Sequence, residues 1–134
     1  MHVRCVIVDD NAHFLDAASS LLEQEGISVV GIASTGAQAY RACSELQPDV
    51  VLLDVDLDDE TGFDVARGLA QRVGRAQPRV ILISAYPSDE FETMIADTPA
   101  LAFVSKTSLS GRVIRAIIGS ADPAAPGGAQ RDSR

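Results

Sequence analysis

Short apolar runs alternate with amphipathic stretches from residue 3 to about residue 119. Five of these runs span only five to seven residues and are bounded by polar or turn-forming residues, which is typical of strands buried in a parallel sheet. The stretches that follow them repeat apolar residues every three or four positions, which predicts helices with one face on a core. The predicted strands, numbered β1 to β5, cover residues 3–8, 27–33, 50–54, 79–84 and 101–105.

Five helices, numbered α1 to α5, are predicted from this periodicity and from residues that cap or break helices. They cover residues 11–24, 34–47, 63–73, 87–98 and 109–118, and Asn11 is the expected N-cap of α1. The residues expected to end them are Gly26, Pro48, Gly74, Pro99 and Gly119. The apolar positions expected to face the core are Phe14, Leu15, Ala18, Leu21 and Leu22 in α1, Tyr40, Cys43 and Leu46 or Gln47 in α2, Phe63, Val65, Ala66, Leu69 and Val73 in α3, Phe91, Met94 and Ile95 in α4, and Leu109, Val113, Ile114, Ile117 and Ile118 in α5.

The alternation of strands and helices predicts the α/β fold class, in which helices cover both faces of one parallel sheet and the crossovers are right-handed. At 134 residues the chain has the size of one domain and is long enough to bury a core without disulfides. We assign this domain to residues 1–119. Residues 120–134 are rich in Ala, Pro and Gly and lack apolar periodicity, so we expect a disordered tail or a linker stub there.

Composition argues against several classes of protein. Asp and Glu number 19 against 11 Lys and Arg, and the resulting net charge of −8 disfavours direct binding to nucleic acid. No apolar run approaches the roughly 18 residues of a membrane span, so we expect no membrane contact. The chain leads directly into β1 without the pattern of a signal peptide, so we expect a cytoplasmic protein. Cys5 and Cys43 match no metal-binding spacing and are expected to be small buried residues in a reducing compartment.

The acidic residues are concentrated in two short stretches of the chain. The residues in these stretches are Asp9, Asp10, Asp54, Asp56, Asp58, Asp59 and Glu60. Two interpretations are open at this point. The stretches are either two solvated acidic loops or parts of a site for a divalent cation, which prefers oxygen ligands.

Polar residues follow four of the predicted strands: Asp9 and Asp10 after β1, Asp54 at the end of β3, Ser84 at the end of β4 and Lys106 after β5. The carboxyl ends of parallel strands meet at one edge of the sheet, where open α/β sheets bind ligands. Mg²⁺ among the carboxylates would relieve their repulsion and hold an incoming phosphate, while the lysine and the serine would bind phosphoryl oxygens. The pattern therefore predicts that Asp54 is a nucleophile that accepts a phosphoryl group as an acyl phosphate.

These residues resemble the receiver domain of bacterial two-component response regulators. The segments that carry the resemblance are Val8-Asp9-Asp10, Leu52-Leu53-Asp54 with Gly62 eight positions on, Ile83-Ser84-Ala85 and Phe103-Val104-Ser105-Lys106. They lie in the family's order and close to its spacing, within a resemblance that runs from residue 3 to about residue 119. The resemblance implies a (βα)₅ doubly wound, flavodoxin-like fold of three α/β/α layers with the strand order 2-1-3-4-5.

By the same resemblance, Asp54 is the phosphoacceptor, and the phosphohistidine of a histidine kinase or a phosphotransfer protein supplies the phosphoryl group. The resemblance also implies Mg²⁺ or Mn²⁺ as the cofactor. Asp10 and Asp54 would ligate the metal directly, and Asp9 would act largely through water. The backbone carbonyl of Asp56 would be a further metal ligand.

The resemblance further implies how the site would act as a switch. Ser84 would be the switch hydroxyl and Lys106 the phosphoryl-binding lysine, and Phe103 would move inward when Ser84 engages the phosphoryl group. The surface formed by α4, β5 and α5 would then change and control a partner or an output domain, and it is also a candidate homodimer interface. We expect no enzymatic activity beyond the chain's own phosphoryl transfer and slow autodephosphorylation.

The chain departs from the family pattern at two places. Thr107 follows Lys106, where the family usually has proline, and a cis peptide bond before a residue other than proline costs about 3 kcal/mol or more. We therefore expect a trans bond and a differently shaped turn between β5 and α5. Leu57 and Asp58 stand where the family often has Met and Pro, which adds negative charge beside the site.

Two other motifs overlap the acidic loop after β3. Asp54, Asp56 and Asp58 match the start of an EF-hand calcium loop, but Asp59 replaces its glycine and Val65 its closing glutamate. The sequence from Asp54 to Asp56 also resembles the first motif of the haloacid-dehalogenase phosphatases, although that family places its nucleophile on the first strand, before its acid pair. A dehalogenase-type phosphatase is therefore one alternative function, and a pseudo-receiver that binds partners without taking phosphate is another.

The sequence leaves open the roles of Phe103 and His13 and the output of the switch. Phe103 also fits a plain core residue, since aromatic residues are common in strands. His13 is next to the acid pair in sequence and is expected to be solvated in the first turn of α1, and the alternative is a role in gating access to Asp54. The chain is expected to be either a stand-alone regulator that acts on a protein partner or the receiver part of a longer regulator with a DNA-binding output domain.

Overall fold

The computed structural model describes residues 2–57, 59–72, 78–85 and 98–121. Within these ranges, five parallel strands form a single sheet in the order β2-β1-β3-β4-β5. This order confirms the predicted fold class and strand arrangement. The strands are Val3–Val8 (β1), Ile27–Ala33 (β2), Val50–Asp54 (β3), Arg79–Ser84 (β4) and Ala102–Ser105 (β5).

In the described part of the chain, three helices connect the strands from β1 to β4 and a fourth helix follows β5. They are Ala12–Gln24 (α1), Gly36–Leu46 (α2), Gly62–Arg72 (α3) and Gly111–Ala121 (α5), and a 3-10 turn covers Lys106–Ser108. Some of the predictions concern residues outside the described ranges. These are the predictions for residues 87–97 of α4, for Val73 and Gly74, for Asp58 and for the tail beyond residue 121. Of the helices in the described ranges, none combines the length and the hydropathy that crossing a bilayer requires.

Local sequence caps α1 at the predicted residue, whereas α2 is shorter than predicted and spans Gly36–Leu46 instead of residues 34–47. Asn11 caps α1, because its side-chain oxygen accepts the N–H of Phe14 at 3.2 Å. Gly26 ends the same helix with a φ of 88°, a left-handed conformation that favours glycine. Thr35 caps α2 in the same way, by accepting the N–H of Gln38 at 3.1 Å.

The boundaries of α5 differ from the prediction. The helix begins at Gly111 rather than at residue 109, because Ser110 caps it by accepting an N–H of the first turn at 3.1 Å. Leu109 lies just before the helix and is still buried in the core. The helix also continues through Gly119 to Ala121, since Gly119 does not adopt the left-handed conformation that would end it.

Ile32, on the edge strand β2, is 55% exposed. Two further apolar residues that the pattern assigned to the core or to a strand also lie near the surface. Leu21 is 38% exposed, because the inner stripe of α1 is narrower than predicted and is filled by Leu15, Ala18 and Leu22. Leu101 is also 38% exposed and precedes β5 instead of beginning it. Neither residue belongs to the buried core.

The two faces of the sheet are covered by different helices. Leu22 of α1 and Ile114 of α5 belong to the core cluster on one face. Cys43 of α2 and Leu69 of α3 belong to the cluster on the other face. Residues 50–53 of β3 alternate between the two clusters and have 0% exposure. The central strand is therefore buried on both faces, which explains its uninterrupted apolar sequence.

Both cysteines are free and buried, as the sequence predicts. Burial raises the pKa of Cys5 to about 12 and that of Cys43 to about 11. The thiols therefore stay protonated at neutral pH and behave as small apolar side chains in the two core clusters.

Candidate functional site

The carboxyl ends of the strands bring the predicted site residues to one edge of the sheet. Asp54 is the last residue of β3, which lies between β1 and β4. The register between β1 and β3 places Asp9, the residue after β1, beside it. Ser84 ends β4 and Lys106 follows β5 at the same edge, because the two strands are in register there. The structure thus assembles side chains that are up to 97 positions apart, from Asp9 to Lys106.

Three carboxylates form an acid cluster at this edge. One oxygen from each of Asp9, Asp10 and Asp54 lies within 4.8 Å of the others. Asp9 is 0% exposed, Asp54 is 6% exposed and Asp10 faces solvent. All three groups offer hard oxygen donors, so the cluster fits a hard divalent cation such as Mg²⁺ better than a soft metal.

Asp56 approaches the site through its backbone. The residue is exposed, and its N–H donates a hydrogen bond to Oδ1 of Asp54 at 3.2 Å. This bond holds the Asp54 carboxylate toward the loop that follows β3. The predicted metal ligand is the backbone carbonyl of Asp56, and that role stays a prediction.

The ammonium of Lys106 lies against the two buried carboxylates. Its Nζ is 2.5 Å from Oδ2 of Asp9 and 3.5 Å from Oδ2 of Asp54. The Lys106 side chain is only 15% exposed, so water weakens these ion pairs less than at the surface. The Lys106–Thr107 peptide bond is trans, as expected, and it opens the 3-10 turn between β5 and α5.

The environment of Asp54 disfavours its ionised form. The pKa of Asp54 is raised to about 6 as the net result of opposing influences. Burial raises it most, the hydrogen bond from the Asp56 N–H lowers it, and the charge of Asp9 raises it. The ammonium of Lys106 lowers the pKa because it favours the ionised carboxylate. At neutral pH the carboxylate is therefore mostly ionised, and additional positive charge beside it would stabilise it.

The raised pKa of Asp54 should produce a pH-dependent difference in stability between the wild-type chain and Asp54→Asn in metal-free buffer. The folded state favours protonated Asp54, so its contribution to stability is present below the usual pKa of 3.8 and is lost as the pH rises through about 6. The unfolding free energy of the wild type, relative to Asp54→Asn, should therefore fall between pH 4 and pH 7 by an amount on the order of 1–3 kcal/mol and then level off. Urea unfolding in EDTA measures this difference, and a pH-independent difference would contradict the raised pKa.

The acidic loop after β3 folds back on itself. Asp56 and Thr61 form an isolated antiparallel bridge, and the N–H of Gly62 donates to the carbonyl of Val55 at 2.9 Å. A Cβ at position 62 would lie 2.3 Å from the carbonyl oxygen of Asp54, so a larger residue would displace the end of β3. This close approach accounts for the glycine eight positions after Asp54 in this chain.

Glu60 has a structural role that sequence reasoning did not identify. Its Oε2 accepts the N–H of Gly36, the first residue of α2, at 2.6 Å. A carboxylate at the N-terminus of a helix satisfies an unpaired N–H and interacts favourably with the helix dipole. The two residues are 24 positions apart, so no local pattern signals the contact. Glu60 therefore ties the acidic loop to α2.

Replacing Glu60 with alanine is expected to lower the free energy of unfolding by about 1–2 kcal/mol, because the partly buried N–H of Gly36 loses its acceptor. Glu60→Gln should lose less, since the amide oxygen can still accept this hydrogen bond. Asp59→Ala, at an exposed position of the same loop, is the control and should change stability by less than about 0.5 kcal/mol. Equal losses for Glu60→Ala and Asp59→Ala in urea unfolding would contradict the capping role.

The predicted switch residues, Ser84 and Phe103, lie on the adjacent strands β4 and β5. Ser84 is buried at the end of β4. Phe103 is half-buried and packs against the core cluster on the side of α2 and α3. This position fits a core residue as well as a switch, so the switch role stays a prediction. His13 is exposed in the first turn of α1, as expected.

The sheet order and the site at its carboxyl edge place the chain in the class of doubly wound, flavodoxin-like α/β domains. Comparison with known protein families narrows the class further. The chain belongs to the response regulator receiver domain family, whose family model matches residues 5–118. This membership confirms the resemblance inferred from the motifs.

Individual relatives agree with this assignment. The transcriptional regulatory protein KdpE of Mycobacterium tuberculosis is 38% identical over 101 residues, which cover 75% of this chain and 43% of KdpE. The transcriptional regulatory protein LiaR of Bacillus subtilis is 27% identical over 116 residues, which cover 86% of this chain and 54% of LiaR. The chain thus spans about half the length of these curated relatives. Among solved structures, the signal receiver domain of NarL from Mycobacterium tuberculosis has a TM-score of 0.75 and 29% identity, with coverage of 88% of this chain and 98% of that one.

Proposed function

We propose that this chain is a phosphorylation-dependent signalling switch in which Asp54 accepts a phosphoryl group from a histidine kinase or a phosphotransfer protein. The observation that carries the proposal is the surroundings of the Asp54 carboxylate, which lies in the acid cluster and 3.5 Å from Nζ of Lys106. A carboxylate oxygen of Asp54 attacks phosphorus, the bond between phosphorus and the donor nitrogen breaks, and an acyl phosphate forms. With a pKa of about 6, Asp54 is ionised and able to attack at neutral pH.

The acid cluster supports Mg²⁺ or Mn²⁺ as the cofactor of this transfer. Asp10 and Asp54 would hold the cation directly, Asp9 would act largely through water, and the carbonyl of Asp56 would be a further ligand. When bound, the cation would neutralise negative charge on the transferring phosphoryl group. Lys106 would bring a second positive charge to the phosphoryl oxygens, since its ammonium already lies at the cluster.

The acyl phosphate would change the balance between two conformations. It adds negative charge and acceptor oxygens at the carboxyl edge of the sheet. Ser84 and Lys106 would bind these oxygens better in one conformation, which becomes more populated, and Phe103 would move inward in that conformation. The surface formed by α4, β5 and α5 would then control a protein partner, an output domain or a second copy of the chain.

The proposal also covers the extent of the domain, its location in the cell and the reactions that it carries out. The receiver domain would extend to the end of α5 at Ala121, two residues beyond the boundary predicted at residue 119, and the residues after it would serve as a tail or linker. The chain would act in the cytoplasm and would not bind nucleic acid itself, which its net charge of −8 supports. Its own phosphoryl transfer and slow autodephosphorylation would be its only reactions. Its family and the position of Asp54 on β3 support this function over a dehalogenase-type phosphatase.

Covalent labelling tests the proposed function. With acetyl phosphate and MgCl₂, the chain should gain one hydroxylamine-sensitive phosphoryl group, and borohydride reduction followed by mass spectrometry should map it to Asp54. EDTA should prevent the labelling. A chain that remains unlabelled by acetyl phosphate and by phosphorylated kinases would be a pseudo-receiver, and sustained hydrolysis of a phosphomonoester over many turnovers would indicate a phosphatase.

A further inference from the structure

The ring of Phe14 lies next to the ammonium of Lys106. The distance from Nζ to the ring centre is 4.3 Å, which is within the range at which an aromatic face attracts a cation. Phe14 lies in the first turn of α1, where its N–H is bound by the capping residue Asn11 at 3.2 Å. Its side chain is half-buried and packs against the core cluster of α1 and α5. Both the backbone and the ring of Phe14 are therefore held in place.

We infer that Phe14 is a positioning residue, which holds the Lys106 ammonium beside Asp54 for phosphoryl transfer. This inference rests on the function proposed above for Asp54 and Lys106. A lysine reaches its partners through a flexible four-carbon stem, so fixing its ammonium in one place costs conformational entropy. The ring provides a third contact for the ammonium, in addition to Asp9 at 2.5 Å and Asp54 at 3.5 Å.

The contact depends on an aromatic face and not only on an apolar side chain. The π-system of the ring attracts a cation electrostatically, whereas an aliphatic side chain excludes water without attracting charge. A hydrocarbon ring offers no oxygen acceptor, so the N–H groups of Lys106 remain available to carboxylate and phosphoryl oxygens. Because Lys106 is only 15% exposed, the attraction is larger than at a fully solvated site.

The position of the ammonium matters for the rate of the transfer. Lys106 already contacts the carboxylate that would attack phosphorus. The lysine side chain would therefore not have to change conformation before its ammonium binds an incoming phosphoryl group. Without the ring, the ammonium would sample more positions, and the rate of phosphoryl transfer would fall. Asp54 and the acid cluster would be unchanged, so the loss would come from the placement of the lysine alone.

Fluorination of Phe14 tests this inference, because it weakens the attraction of the ring for a cation while nearly preserving the size of the side chain. Phe14 is replaced by its mono-, tri- and pentafluoro analogues, and the rate constant for phosphorylation of Asp54 by acetyl phosphate at saturating Mg²⁺ is measured. We expect a stepwise fall with the number of fluorine atoms, reaching about three- to thirtyfold for the pentafluoro chain. The same series at Phe63, which is buried in the core on the other face of the sheet, should change the rate by less than about twofold.

Natural substitutions give a second comparison if a fluorinated chain folds poorly. Phe14→Tyr keeps the aromatic face and should keep the rate within about twofold, whereas Phe14→Leu keeps apolar packing and should lose about as much as the pentafluoro chain. A flat rate across the Phe14 series, equal falls at Phe14 and Phe63, or equal rates for Phe14→Tyr and Phe14→Leu would overturn the inference. A wild-type chain that takes no phosphoryl group at all would overturn the proposed function instead.

Discussion

Replacing Asp54 with asparagine is expected to abolish phosphoryl incorporation, with a loss of at least about a thousandfold in the initial rate. The amide nearly matches the carboxylate in shape, so the pairing of β3 with β1 and β4 should be retained. The amide is a poor nucleophile toward phosphorus, and the substitution also removes one of the three carboxylates of the acid cluster. The measurement is the initial rate of labelling from acetyl phosphate at one fixed concentration of Mg²⁺.

Asp59→Asn is the matched control for this experiment. Asp59 is an exposed acid in the loop that follows β3, so its substitution makes the same chemical change and the same change in net charge. The control chain should be labelled within about threefold of the wild-type rate. Labelling of Asp54→Asn at a comparable rate would mean that another group accepts the phosphoryl group, and mapping would then examine Asp9 and Asp10, which share the acid cluster.

Replacing Lys106 with methionine is expected to destabilise the domain by about 3 kcal/mol in metal-free buffer. The methionine keeps most of the apolar stem and removes only the charge. Asp9, with 0% exposure, would then lose a partner at 2.5 Å and would face Asp54 without a cation between them. Saturating Mg²⁺ should restore more stability to the variant than to the wild type, since the metal would replace the missing positive charge.

The Arg67–Asp64 pair offers a control at the surface. Its side chains are 49% and 70% exposed and are joined at 2.9 Å, so Arg67→Met should change stability by less than about 1 kcal/mol. Urea unfolding of both variants, in EDTA and in MgCl₂, makes the comparison. If Lys106→Met were as stable as the wild type in EDTA, Lys106 would not be the group that compensates the buried charge of Asp9.

The sequence predicted the sheet and the residues at its edge because both depend on local features. Each strand is a short apolar run, and the carboxyl ends of parallel strands meet regardless of how the rest of the chain packs. Knowing that Asp54 ends β3 and that Lys106 follows β5 was therefore enough to place both at one edge. The family resemblance then supplied the strand order, which periodicity alone does not determine.

The missed contacts join residues that are far apart in sequence. Glu60 caps α2 from 24 positions away, and Glu25, at the end of α1, accepts the N–H of Gly111 across 86 positions. The pairing of Phe14 with Lys106 also depends on how α1 packs against the sheet. Each contact involves a common residue type at an unremarkable position, so only the folded structure identifies it.

β3 is an interior strand whose backbone has little freedom to move. Residues 50–53 have no exposed surface, and the strand is paired on both sides. Amide hydrogens in such a strand exchange with solvent deuterium only when the whole domain unfolds. Lys106, in contrast, follows an edge strand of the described sheet. Asp54 is thus attached to one of the most protected strands of the sheet, so backbone adjustments that accompanied the proposed phosphorylation would have to occur in the surrounding strand ends and loops.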